Sequence, residues 1–93
     1  MTLNRRFIKS MIRELDLVVS SKKTVVDFIT RFYMLYDDMP NNLDSNTLSL
    51  IEEFEERLGY FQPDAVARGS DMHLINEKQV RKYAFMLLDE LRC

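Results

Sequence analysis

Glu52-Glu53-Phe54-Glu55-Glu56-Arg57-Leu58-Gly59-Tyr60-Phe61-Gln62-Pro63-Asp64-Ala65 is a carboxylate-crowded stretch that runs into an aromatic-x-Pro-Asp corner. At about 100° per residue, Glu52, Glu53 and Glu56 project from one side of a helix with Glu55 at its margin. Leu50, Ile51, Phe54, Leu58 and Phe61 gather on the other side. That spacing predicts an amphipathic helix that buries its apolar stripe and turns its acids to solvent or to a partner. Proline has no N–H and disfavours helical backbone at the residue before it. The sequence therefore predicts that Pro63 ends the helix near Phe61 and that Asp64 is displayed just beyond.

Outward from this stretch the same period recurs. Phe7, Ile8, Met11, Ile12, Leu15, Val18 and Val19 predict a first helix over residues 5 to 19, with Arg5, Lys9 and Arg13 along one exposed edge. Ser20-Ser21-Lys22-Lys23 is a short connection, and either Ser21 or Thr24 can cap a second helix that carries Val25, Phe28, Ile29, Phe32, Tyr33 and Tyr36. So short a link implies antiparallel neighbours. Asp37-Asp38-Met39-Pro40-Asn41-Asn42 is turn chemistry, and Asp44 suits the N-cap of the third helix, which is expected to run to about Tyr60. Residues 62 to 74 form the longest connection and the natural home of specificity, with Gly69-Ser70-Asp71 as its expected flexible point. Asn76 is a plausible cap for a last helix over residues 77 to 92, whose stripe is Val80, Tyr83, Ala84, Leu87, Leu88 and Leu91. Four such helices, without a β-alternating run or an internal repeat, predict an all-α antiparallel four-helix bundle occupying residues 1–93 as one domain.

The charge balance narrows the function classes. The net charge of −2 conceals a contrast. Residues 1–23 hold six Lys and Arg against two acids, a net +4, whereas residues 24–65 hold nine acids against two Arg, a net −7. An acidic block of this kind attracts a cationic protein surface and repels nucleic acid. No apolar run approaches the roughly 20 residues needed to span a bilayer, and no secretory leader pattern is present. The lone Cys93 has no partner for an internal disulfide, so a cytoplasmic location is expected.

Enzyme chemistry finds little support. One His73 and one Cys93 supply neither a metal cluster nor a Cys-His pair, and two scattered glycines make no phosphate cradle. Carboxylates can serve di-metal bundle sites, but those use Glu-x-x-His ligands facing the core, and helix three has no His. No cofactor and no catalytic residue are expected. A solvated helix face is the ordinary alternative for the glutamates, and core packing for most of the aromatics. Tyr60 falls on the glutamate side, where tyrosine often anchors interfaces.

The acidic stretch with its Phe61-Gln62-Pro63-Asp64 corner, together with Ser21-Lys22-Lys23-Thr24-Val25-Val26-Asp27-Phe28 upstream, resembles the colicin D immunity family. The likeness runs from Phe7 through the last helix. It implies a monomeric helical antidote that forms a 1:1 complex with the ribonuclease domain of a bacteriocin or contact-dependent growth inhibition toxin and blocks its tRNA site with acidic side chains. Asp64, on the matching aromatic-x-Pro-Asp motif, is the residue the resemblance singles out. Gly59 and Gln62 stand where the family can carry further acids. The expected partner-binding set is Glu52, Glu53, Glu55, Glu56, Tyr60, Gln62 and Asp64, the expected partner is a basic toxin nuclease domain, and no direct contact with nucleic acid or membrane is expected. Two rival readings remain. One is a small helical nucleic-acid-binding protein that uses the Arg5, Lys9 and Arg13 edge, and the other is a helical adaptor that binds another helix.

Overall fold

The computed structural model describes residues 2–71 and 73–92, so Cys93 lies outside the described residues. Four long helices, α1 (Thr2–Val19), α2 (Val25–Asp37), α3 (Ser45–Leu58) and α5 (Glu77–Arg92), form the expected all-α bundle, and a one-turn helix, α4 (Ala65–Arg68), is added in the last connection. One hydrophobic core joins the four long helices. Phe7, Met11, Leu15 and Val18 line the buried side of α1 at intervals of one helical turn and meet Val80, Ala84, Leu87 and Leu88 of α5 and the aromatic side of α2. Phe28, Phe32 and Phe54 lock α2 to α3, with the Phe32 and Phe54 rings 5.2 Å apart edge to face. No helix among the described residues is long and apolar enough to cross a membrane.

Local chemistry explains where α1 stops and where the later long helices begin. Ser21 sits at φ 61°, the left-handed conformation that closes α1, while Lys22 N and Lys23 N both donate to the Leu17 carbonyl. Of the two capping candidates for α2, the structure uses Thr24, whose hydroxyl accepts from Asp27 N at 3.1 Å. Asp44 caps α3 through Asn46 N and Thr47 N and also accepts from the Thr47 hydroxyl at 2.7 Å, which holds its carboxyl below the ordinary value of 3.8. Asn76 and Gln79 cap the start of α5 reciprocally, each side chain accepting from the other's backbone N–H at 2.9 Å.

The end of α3 departs from expectation. The regular helix stops at Leu58, not near Phe61, and Pro63 is not what stops it. After Leu58 the chain tightens, Tyr60 N donating to the Arg57 carbonyl and Phe61 N to that of Leu58. Phe61 then forms an isolated parallel bridge with Ile75, in which Gln62 N donates to Ile75 O at 2.9 Å and Ile75 N to Tyr60 O at 2.8 Å. Two backbone bonds to a distant segment thus draw the chain off the helical path before proline is reached. Sequence periodicity carries no signal for a pairing across so many residues.

Candidate functional site

The candidate site is the solvent side of α3 together with the corner that follows it. Glu52, Glu53 and Glu56 are exposed, and Glu55 is half-buried at the margin, as the helical projection predicts. The four do not form one uniform patch, because each flank of α3 has its own neighbour. Toward α2, Glu55 accepts a hydrogen bond from the Tyr33 hydroxyl at 3.3 Å. Burial, then the charge of Glu55 and its hydrogen bond, pushes the Tyr33 phenol above its ordinary value. Tyr36 is raised too, by burial and then by the charges of Glu55, Glu52 and Asp37. Toward α5, Glu53 pairs with Arg57 at 2.9 Å, one turn along the helix, and the Arg57 guanidinium lies 4.5 Å above the Tyr83 ring. Among the described residues Glu52 and Glu56 join no ion pair.

Tyr60 is 47% exposed at the end of α3, available as the aromatic contact its position suggested. The corner beyond it is more constrained than a displayed carboxylate would be. Asp64 is exposed, but its Oδ1 accepts from Val66 N at 2.9 Å and caps α4. The half-buried Gln62 supports that cap: its Oε1 accepts from Asp64 N at 3.2 Å, and its carbonyl accepts from the Arg68 guanidinium at 2.6 Å. The corner therefore carries a cation within its own framework beside the acid. Gly69, at φ +53°, ends α4 in a conformation that strains any residue with a Cβ. His73 is exposed, and its backbone N–H donates to Asp71 Oδ1 at 2.9 Å.

Several residues of this surface escaped the sequence reading. Tyr33 and Tyr36 fell on the apolar stripe of α2 and read as core, yet they are half-buried with the Tyr33 hydroxyl turned to Glu55. Phe85 and Met86 are 56% and 45% exposed, off the stripe of α5. Their signal was present in Ala84-Phe85-Met86-Leu87-Leu88, which has more apolar residues in succession than one helix face can bury. Among the described residues no group of three or more His, Cys, Asp and Glu is gathered as a metal site requires.

Comparison with protein-family models, with curated proteins and with solved structures finds no match for this chain. The functional reading therefore rests on the surface itself and on the short sequence motifs.

Proposed function

We propose that the chain is an immunity protein that binds a cognate ribonuclease toxin of the tRNA-cleaving type and inhibits it by occupying its basic substrate cleft. The observation that carries this reading is the exposed ridge of Glu52, Glu53 and Glu56 on one helix, flanked by Glu55 and Tyr60 and followed by the Asp64 corner. A cleft that holds RNA presents cations spaced for phosphates, and carboxylates fixed along a helix can stand in for them. The sequence likeness to colicin D immunity proteins supports the same reading. The mechanism is exclusion of substrate, with no chemistry performed by the chain and no cofactor required. Cytoplasmic residence fits an antidote that meets its toxin beside the tRNA pool.

A second reading has its own observation: Arg5, Arg6, Lys9 and Arg13 are all exposed on α1 and, among the described residues, form no ion pair. That edge could contact nucleic acid directly. One experiment separates the two. Purified protein is assayed for protection of tRNA against a panel of colicin D-type ribonuclease domains and, alone, for retardation of tRNA in a gel at moderate salt. Protection with no retardation is expected. Retardation by the protein alone, abolished on replacing Arg5, Lys9 and Arg13, overturns the inhibitor reading in favour of the nucleic-acid one.

A further inference from the structure

Between α3 and α5 runs a groove of about 260 Å³ that shares only Glu53 with the acidic ridge. Its floor is Leu50, Phe54, Tyr83 and Leu87, and Phe85 and Met86 stand at its edge with about half of their surface in water. Phe85 and Met86 lie outside the core stripe of α5, and their exposure costs the isolated molecule hydrophobic free energy that a bound partner would recover. The rim is acidic. Glu53, Asp89 and Glu90 line it, and Arg57 is the one cation that does. Arg57 is already committed to Glu53 and to the Tyr83 ring, whereas Asp89 and Glu90 join no ion pair among the described residues.

We propose that this groove is a docking site for a basic amphipathic helix of a protein partner, whose apolar stripe covers Phe85 and Met86 and whose lysines or arginines meet Asp89 and Glu90. A helix is the shape that suits a slot between two helices, where apolar residues one turn apart enter the groove and flanking charges settle on the rim. Methionine adapts to such a stripe without demanding one sequence, and phenylalanine adds a large apolar face. The acidic rim decides the partner's charge. It disfavours an anionic lipid surface and an acidic peptide, and it complements a cationic helix. Apart from Glu53, this surface is separate from the acidic ridge and from the flank where Glu55 meets Tyr33 of α2, and the inference does not depend on the inhibitor reading.

The test uses the whole protein, labelled with 15N, and two synthetic helical peptides of about four turns, one of leucines with flanking lysines and one with glutamates in place of the lysines. The lysine peptide should shift the amide resonances of Glu53, Phe85, Met86 and Glu90, and the glutamate peptide should bind at least about tenfold more weakly. Phe85→Gln and Met86→Gln, both at exposed positions, should weaken the lysine peptide about tenfold or more, and Glu90→Lys should weaken it in low salt. Circular dichroism of each variant shows that the helices are kept. Equal binding of the two peptides overturns the proposal, as do shifts confined to α1 or to Glu52 and Glu56. Sedimentation showing that a second copy of the chain already covers Phe85 and Met86 overturns it too. No nuclease enters the experiment, so its failure leaves the inhibitor reading untouched, and failure of that reading leaves this one.

Discussion

Asp64 does two things with one carboxylate. Its Oδ1 caps the first turn of α4 through Val66 N, and its negative charge stands in solvent at the corner proposed to meet the partner. The two roles separate by substitution, because asparagine caps a helix about as well as aspartate but carries no charge. If Asp64 pairs with a cation of the toxin, Asp64→Asn should weaken toxin binding by on the order of 2 to 5 kcal/mol, mainly through faster release. It should leave hydrogen exchange at Val66 unchanged. Asp64→Ala should add a local loss of about 1 kcal/mol, seen as faster exchange across α4, since it removes the cap as well. If Asp64→Asn binds like wild type and only Asp64→Ala weakens binding, the residue serves the complex as a cap alone. Tyr33 and Tyr36 give the acidic flank a pH signature. Burial first, and Glu55 second, raise both phenols above 10.0, so the folded protein holds these protons more tightly than the unfolded chain does. Stability from this source is complete below pH 10.0 and falls as pH rises through the elevated folded values. Phenolate absorbance should show Tyr33 and Tyr36 titrating late, and Glu55→Gln should bring Tyr33 part of the way back. Titration of Tyr33 at the ordinary value would contradict the Tyr33–Glu55 geometry.

The helices were legible wherever periodicity and caps spoke together. Asp44 and Asn76 begin α3 and α5 as their types suggest, and the stripe from Phe7 to Val18 is buried as spaced. What the sequence hid were contacts between elements far apart in the chain. The bridge of Phe61 to Ile75 ends α3 early, and α4 arises because Gln62 Oε1 accepts from Asp64 N, Asp64 Oδ1 accepts from Val66 N, and the Arg68 guanidinium donates to the Gln62 carbonyl. Of the candidate site, the exposure of Glu52, Glu53, Glu56 and Tyr60 could be read from helical projection, whereas the partners of Glu53 and Glu55 could not. A further hidden link lies between α1 and α2. Glu14 is buried at the middle of that pair, where it bonds the Lys23 ammonium of the connecting turn, and the Arg31 guanidinium of α2 stands 3.9 Å away. By sequence Glu14 counted only as one acid in a basic segment. Replacing it leaves Lys23 without its carboxylate in a partly buried position, so Glu14→Ala should destabilise the protein by about 2 kcal/mol, below the usual range for a fully buried pair because Lys23 keeps some access to water. Thermal or denaturant unfolding measures this. A change under about 0.5 kcal/mol would mean that water replaces Glu14 at no cost and that the clasp does not hold α1 to α2.

Across the whole molecule, the basic segment and the acidic block end up on different helices of one bundle. α1 exposes Arg5, Arg6, Lys9 and Arg13, while α3 exposes Glu52, Glu53 and Glu56. A net charge of −2 spread evenly would steer nothing, but residues 24–65 carry a net −7, and the exposed Glu52, Glu53 and Glu56 of that segment lie along one helix, where a cationic partner can be drawn in. Steering of this kind acts over a screening length of about 10 Å in 0.1 M salt and about 3 Å in 1 M salt. The association rate with a basic ribonuclease domain should therefore fall on the order of tenfold or more between those conditions, with a much smaller change in the release rate. Single alanine changes at Glu52, Glu53 or Glu56 should each slow association modestly, and the triple change should remove most of the salt dependence. Neutralising Arg5, Lys9 and Arg13 should leave association unchanged or make it faster, because it removes charge of the partner's own sign. Stopped-flow binding at graded salt reads all of these. If the rate is indifferent to salt, or if it slows on loss of the α1 cations instead of the α3 acids, the acidic ridge is a solvated helix face and the partner is recognised elsewhere on the bundle.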